Sequence, residues 1–180
     1  MDTKEIAARF EETVRFYLNE LDGLTTEQLL RKPNEEDWSI GQMYAHLIQS
    51  AMRMHLGNVR RCLHPDGEDG VVRGGEKTEA GKAIMALGSF PPERVRVPPS
   101  PQYTPEQPAG KEELARGLLE VLRLANEIEP GLGEADLSLA VAHPRLGALN
   151  AQEWFRLVEM HYRHHKLQLG RLKTAFGIGA

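Results

Sequence analysis

Four long stretches of the chain carry apolar residues at the three- and four-residue spacing that is typical of amphipathic helices. The pattern predicts helices over about 3–22, from Ser39 to about Leu63, over about 111–129, and from Asn150 to near Gly177. The segments SIGQ and NAQE, which open the second and fourth stretches, have the residue types of a capping box. A short helix opens at the threonines of TTEQLL, and no strong strand pattern or internal repeat is evident.

The segment between the second and third helices has a different composition. Residues 65–108 hold eight of the eleven prolines, which excludes a long regular helix or a central strand, although a short helix fits 78–87. A connection this long can run back along a helix of roughly 35–40 Å, so the helices that it joins can be parallel.

These patterns predict an all-α protein with a single domain over 1–180. We expect a four-helix bundle in up-down-down-up order, with a long Pro/Gly-rich crossover between helices 2 and 3. The crossover, taken as 65–110, is also a candidate lid over a pocket. A disordered insert in a simple up-down-up-down bundle is the alternative.

Composition narrows the classes of partner and location. Acidic residues outnumber basic ones by 26 to 22 without any basic stripe, so we expect no nucleic-acid partner. No run of about 18 apolar residues occurs, and the charged N-terminal segment lacks the apolar core of a secretory signal, so we expect no membrane span. The single cysteine, Cys62, excludes an internal disulfide and fits a reducing compartment. We therefore expect a cytoplasmic location.

Two histidines of the last helix fall on its apolar face. On a helical wheel His161 and His165 lie about 20° either side of Trp154, in the middle of that face. Four residues are predicted to point away from it: Arg156, Glu159, Arg163 and Lys166. A pair of histidines four residues apart suits one metal ion. Alternatively, both are core histidines whose rings form hydrogen bonds to each other, to Gln168 or to a tyrosine. Spacing alone mildly favours this second interpretation.

The remaining histidines are weaker candidates. His46 lies on the flank of the apolar stripe of the second helix, Ile40, Met43, Leu47, Ala51 and Met54, and by itself it is typical of a surface edge. His55 lies about 13 Å further along a straight helix, too far to share an ion with His46, and His64 lies further still. His164 is expected on the helix shoulder, and His143 lies in a loop that could fold over one end of the bundle. Trp38 is expected to plug the start of the second helix.

Two distant segments together resemble the DinB-like superfamily, which includes YfiT-type metal-dependent hydrolases. The segments are DWSIGQMYAHLIQS and NAQEWFRLVEMHYRHHKLQLGRL. The residues that carry the resemblance are Trp38, Ser39, His46, Leu47, His161, His165 and Gln168. The resemblance implies the same up-down-down-up four-helix bundle. It also implies one divalent ion, zinc or nickel, held by His46, His161 and His165.

Three imidazole ligands leave open positions on an ion, as in catalytic rather than structural sites. The resemblance therefore implies an enzyme that activates a small thiol or water, either a thiol S-transferase or a hydrolase acting on a small molecule. A low-molecular-weight thiol would be its co-substrate. Glu153 and Glu159 lie off the histidine face, so no catalytic acid or base is identified, which mildly favours thiol activation.

Three further residues are candidates for orienting a ligand by hydrogen bonds: Gln168, Gln49 and Tyr44. For Tyr44 and Gln49, helix packing or a surface position is favoured. The alternative to an enzyme is a non-catalytic helical binding or stress-response module whose metal is structural or absent. Pairing of the helix faces into a homodimer remains open.

Overall fold

Long helices form the frame of the protein in a computed structural model, which describes residues 2–67, 69–93 and 104–179. In chain order they and the shorter helices are α1 (Thr3–Asp22), α2 (Thr26–Leu30), α3 (Ile40–Gln49), a π-helical turn (Ser50–His55), α4 (Leu56–Leu63), α5 (Glu79–Leu87), α6 (Lys111–Ile128) with a 3₁₀ extension (Glu129–Glu134), and α7 (Ala151–Ala175). Helices α3 and α4 and the turn between them make up the second long helix. The four long helices are confirmed close to their predicted bounds.

Capping boxes fix the starts of the two helices that carry the candidate histidines. The Ser39 hydroxyl accepts from the backbone N–H of Gln42 at 3.0 Å, and the Gln42 side chain accepts from the Ser39 N–H at 3.0 Å. Asn150 and Glu153 repeat this exchange at the start of α7. Because each box satisfies two N–H groups that the helix itself cannot, both helices begin at a defined residue.

Helix α1 and the second long helix each pack against both α6 and α7. Lys173 Nζ lies 2.7 Å from Glu20 Oε2, near the C-terminal ends of α7 and α1. Lys111 Nζ, at the start of α6, donates to the carbonyl of Asp22, at the end of α1, at 2.8 Å. The Cys62 thiol, near the end of α4, lies 3.9 Å from the carbonyl of Leu149, just before α7.

Three tyrosines fill the core between these helices. Tyr17 packs edge-to-face against Tyr44 and Tyr162, with ring centroids 5.3 and 5.8 Å apart. The Tyr17 hydroxyl donates to the carbonyl of Tyr162 at 2.8 Å, and the Tyr44 hydroxyl donates to the carbonyl of Tyr17 at 2.9 Å. These bonds tie α1 to the two helices that bring the candidate histidines together.

A small antiparallel sheet departs from the all-helical expectation. It contains β1 (Val71–Arg73), β2 (Leu139–His143) and β3 (Gly147–Asn150), in the order β1-β2-β3. The strands are three to five residues long, too short for an alternating pattern to stand out in the sequence. Gly147 has φ +79°, which suits glycine at the hairpin turn. The absence of strands was therefore a wrong expectation.

Helix α5 docks on a face of α7 that the helical wheel assigned to solvent. Arg156 donates to the carbonyl of Met85 at 2.8 Å, and Arg163 donates to the carbonyl of Gly88 at 2.7 Å. Glu159 is only 5% exposed, and its carboxylate accepts two hydrogen bonds from Arg163. The predicted outward orientation of Glu159 is therefore wrong, because a one-helix wheel cannot anticipate that α5 covers this face.

The end of the crossover is anchored at the start of α3. Gln42 Nε2 donates to the carbonyl of Pro105 at 2.7 Å, and the Ser39 hydroxyl donates to Gln107 Oε1 at 2.8 Å. The candidate lid over 65–110 falls partly on residues 68 and 94–103, which lie outside the described residues. No helix in the described part of the chain has both the length and the apolar character needed to cross a membrane.

Candidate metal centre

Three histidines from two helices converge at one point of the bundle. His46 Nε2, on α3, lies 3.2 Å from His161 Nε2 on α7, and His165 Nε2 lies 3.0 Å from the same His161 atom. One nitrogen from each ring lies within 4.8 Å of the other two. These are the three histidines for which the family resemblance implied metal binding.

In two of these rings the outer nitrogen, Nδ1, lies next to a group that can form a hydrogen bond with it and so orient the ring as a metal ligand. His165 Nδ1 lies 2.8 Å from Gln168 Oε1. Because an amide oxygen only accepts, the proton belongs on Nδ1, and His165 Nε2 presents a lone pair. His46 Nδ1 lies 3.4 Å from the Ser50 hydroxyl, which can hold its ring in the same tautomer.

Burial keeps the three rings uncharged. It lowers the pKa of His46 to about 4 and, together with the neighbouring His46, lowers the pKa of His165 to about 3. Burial also lowers the pKa of His161 well below its ordinary value, with His165 adding to the effect. Neutral imidazole is the form that binds a metal, so the rings need not lose a proton at neutral pH.

The spacing of the Nε2 atoms fits a shared divalent ion. Two nitrogens at about 2.0–2.1 Å from zinc are about 3.4 Å apart at a tetrahedral angle and about 2.9 Å apart at a right angle. The observed separations of 3.0 and 3.2 Å fall close to this range. The residues present therefore fit one ion bound through three imidazoles, with positions left for a further ligand.

Aromatic side chains flank the histidines. The half-buried Trp38 ring lies 5.0 Å from the His46 ring, and the half-buried Phe90 ring lies 6.5 Å from the His161 ring. Phe90 also lines a cavity between the end of α5 and α7, together with His164 and Leu167. Phe90 therefore lies between the candidate centre and a cavity that has both apolar and polar lining residues.

His55 is a member of this neighbourhood that the sequence did not reveal. It is 2% exposed, and its ring lies 5.0 Å from that of His161. The apolar pattern of the second helix predicted that Met54 is buried at this point. In the structure Met54 is half-buried, and the next residue, His55, is buried instead. The π-helical turn Ser50–His55 explains the difference, because it adds one residue to a turn and shifts the buried face. Neither residue type nor spacing signals such a turn.

The other predicted residues have different contacts. The Tyr44 hydroxyl donates to the Tyr17 carbonyl in the core, and Gln49 is exposed, which are the packing and surface positions favoured for these two residues. His143 lies in β2, where its ring packs 5.4 Å from Trp154. His164 is half-buried against Phe90.

No carboxylate joins the three-histidine group within the described ranges. Glu153 completes the cap of α7 and lies 2.8 Å from Lys77 Nζ. Glu159 is paired with Arg163. Both acidic residues near the histidines along the sequence are therefore held by structural contacts.

A comparison with models of protein families finds a match over most of the chain. The model of the DinB superfamily matches residues 9–169. The chain belongs to the DinB superfamily. No curated protein is similar enough in sequence to count as a match.

A solved structure is similar to this DinB-superfamily chain in fold. It is that of YfiT from Bacillus subtilis, with a TM-score of 0.60 and 16% sequence identity, over 98% of this chain and 89% of that chain. YfiT is described as a probable metal-dependent hydrolase with an unusual four-helix bundle topology. At this identity the similarity establishes the four-helix-bundle fold of the present chain and leaves its activity to be argued from the site.

Proposed function

We propose that the protein is a metal-dependent enzyme that uses one divalent ion, zinc or nickel, to activate a small nucleophile. The observation that carries this proposal is the convergence of the Nε2 atoms of His46, His161 and His165. The similarity to YfiT supports metal dependence, because that protein is described as a probable metal-dependent hydrolase. Three protein ligands leave room for a reactant, which distinguishes this arrangement from a closed structural site.

An ion bound there supplies Lewis acidity, which ionises a thiol or a water molecule at neutral pH. The chain's own contribution is to hold three neutral imidazoles in place. Gln168 fixes the ring of His165, and the anchored α5 and capped α7 fix the surrounding helices. Trp38 and Phe90 present apolar surface beside the histidines and limit access of water.

Thiol activation is the form of this chemistry that the site favours. Hydrolysis is assisted by a general base, and no carboxylate accompanies the histidines in the part of the chain that the structure describes. An ion held by His46, His161 and His165 would lower the pKa of a bound thiol, so that the thiol would lose its proton to solvent without such a base. We therefore propose transfer of a low-molecular-weight thiol to a small electrophile, in which the new carbon–sulfur bond replaces a carbon–chlorine bond with release of chloride, or opens an epoxide ring whose oxygen takes up a proton. Hydrolysis of a small molecule is the second candidate, and the description of YfiT as a hydrolase supports it.

We also infer an up-down-down-up order for the helices. The contact between Lys173 and Glu20 supports parallel α1 and α7, since Phe10 likewise packs on Tyr162, earlier in both helices. The contact between Lys111 and Asp22 supports antiparallel α1 and α6. This order places the second long helix antiparallel to α7, with His46 facing the middle of α7.

The first experiment is metal analysis of untagged protein by mass spectrometry. We expect one divalent ion per chain, and we expect His165→Ala to lose it while keeping the helical circular dichroism of the wild type. His64→Ala is the matched control, because His64 is an exposed histidine at the end of α4. Metal-free protein that gains no thermal stability from added zinc or nickel would favour the non-catalytic binding module instead.

The second experiment separates the two nucleophiles. The metal-loaded protein is incubated with a chlorinated or epoxide electrophile and a panel of small thiols, and the products are identified by mass spectrometry. A thioether product that requires both the ion and the thiol supports transfer. A hydroxylated product formed equally well without any thiol supports hydrolysis and contradicts the proposal that a thiol is the co-substrate.

A further inference from the structure

His161 differs from the other two histidines of the centre in the surroundings of its outer nitrogen. His161 Nδ1 is buried and has no hydrogen-bond partner among the described residues. The corresponding nitrogens of His46 and His165 lie next to Ser50 and Gln168. A histidine that binds a metal through Nε2 carries its proton on Nδ1, and that N–H almost always donates to a neighbouring group. The hydrogen bond expected from the Nδ1–H group of His161 therefore has no acceptor among the described residues.

His55 likewise has a ring nitrogen that lacks a hydrogen-bond partner. Its Nδ1 is also buried without a partner in the described structure. The rings of His55 and His161 lie in an edge-to-face arrangement, with centroids 5.0 Å apart and planes at 83°. An unpaired buried polar group costs about 1–3 kcal/mol, so two such nitrogens in adjacent rings are unexpected unless they satisfy each other. One enclosed water can do so by accepting from one ring and donating to the other.

A π-helical turn in the second long helix accounts for the position of His55 against His161. At about 100° per residue, His55 would point to the side of a regular helix opposite to His46, nine residues earlier. The π-helical turn ends at His55 and changes that direction. Turns of this kind are rare and are often found at functional sites. The helix thus departs from regular geometry at the residues that bring His55 against His161.

We propose that His55 is a positioning residue for His161. The Nδ1–H group of His161 donates to an enclosed water, and this water donates to the lone pair of His55 Nδ1. The bridge holds His161 in the tautomer that leaves Nε2 free for the ion. His55 then carries its own proton on Nε2. The metal-binding part of this inference rests on the proposed function, whereas the bridge between the two rings does not require an ion.

Two substitutions test the role of His55. His55→Phe keeps a ring of similar size and removes both nitrogens, whereas His55→Asn keeps a polar group near the position of Nδ1. We expect His55→Phe to weaken zinc affinity by about 10–100-fold, measured by competition with a chromophoric chelator, and His55→Asn to restore most of the loss. Tyr162→Phe is the matched control. It removes another buried polar atom without a partner in the described residues, next to His161 in sequence, and should leave zinc affinity unchanged.

Histidine tautomers in metal-free protein provide the second measurement, from long-range proton–nitrogen NMR spectra. We expect Nδ1–H on His161 and Nε2–H on His55 in the wild type, and a shift of His161 toward Nε2–H in His55→Phe. Unchanged zinc affinity together with an unchanged His161 tautomer would overturn the proposal. If the wild type binds no metal, the proposed function fails. The tautomers of His161 and His55 still show whether the water bridge between the two rings exists. If His55→Phe does not fold, a wild-type His55 with its proton on Nδ1 overturns the bridge by itself.

Discussion

His46 Nε2 lies 3.2 Å from His161 Nε2, although 115 positions separate the two residues in the chain. His165 Nε2 approaches the same His161 atom at 3.0 Å. A neutral imidazole nitrogen can supply one proton, which cannot make good hydrogen bonds to two neighbouring rings at once. A cation accepts all three lone pairs together. The geometry therefore suits a metal centre better than the hydrogen-bonded core that the His161 and His165 spacing also allowed.

Added metal should stabilise the folded protein. An ion that binds only the folded state at 100 times its dissociation constant adds about 2.7 kcal/mol, which corresponds to roughly 5–10 °C in Tm for a chain of this size. We expect this shift for the wild type on adding zinc or nickel to chelator-treated protein, measured by differential scanning calorimetry. His161→Ala should abolish it. A comparable shift in His161→Ala would mean that the ion binds elsewhere.

The amide of Gln168 should influence the ion through His165. Removal of a group that orients a metal ligand typically costs 10–100-fold in affinity, so we expect about this loss of zinc affinity for Gln168→Ala. Gln168→Glu should retain or raise the affinity, because a carboxylate is a stronger acceptor for the Nδ1–H of His165. Gln49→Ala replaces an exposed glutamine and should have no effect. Equal affinities for the Gln168 and Gln49 variants would show that the 2.8 Å contact does not orient the ligand.

The long helices could be predicted because each one has a periodic apolar face and a clear start. Ser39 and Asn150 supplied caps with glutamine or glutamate three residues on, and both capping boxes are present. The strands were missed because their pairing is long-range: Val71 pairs with Val141, and neither segment is long enough to show alternation. Glu159 was misassigned because it is buried and paired with Arg163, which donates to the carbonyl of Gly88 just after α5, and the pattern of α7 alone does not reveal this contact.

The candidate site was only partly visible in the sequence. The spacing of His161 and His165 left two interpretations open, and His46 was unremarkable until a family resemblance joined it to them. The reason is physical, since its partners lie on another helix. His55 was excluded as a ligand of the same ion as His46, and the three-histidine group does not include it. The sequence did not reveal that His55 packs against His161 at the end of a π-helical turn. Periodicity predicts elements, whereas a site depends on how the elements meet.

The tyrosine cluster allows the same substitution to be tested at two positions with opposite outcomes. Tyr44→Phe removes a hydroxyl that donates to the Tyr17 carbonyl at 2.9 Å, so we expect a loss of about 1 kcal/mol in the free energy of unfolding. The Tyr162 hydroxyl is buried without a partner in the described part of the chain. Tyr162→Phe should therefore be neutral or stabilising by up to about 1 kcal/mol. Urea denaturation compares the two, and a larger loss for Tyr162→Phe would reveal a partner for that hydroxyl.

Acid should destabilise the metal-free protein through the half-buried histidines of the candidate centre. Burial lowers the pKa of His46 to about 4 and that of His165 to about 3, from an ordinary value of 6.5. Below pH 6.5 the unfolded chain therefore binds protons that the folded chain does not, so stability decreases as the pH falls toward these lowered values. Each such histidine contributes a slope of up to about 1.4 kcal/mol per pH unit.

Urea denaturation of chelator-treated protein between pH 7 and pH 5 measures this dependence before most carboxylates begin to titrate. We expect the free energy of unfolding to fall with pH across this window. His165→Gln should show a shallower dependence, because one of the buried imidazoles has been removed while a polar side chain of similar reach remains. A wild-type stability that stays constant from pH 7 to pH 5 would mean that the histidines take up protons in the folded state as readily as in the unfolded chain. They would then lack the desolvated surroundings on which their neutral, ligand-ready form depends.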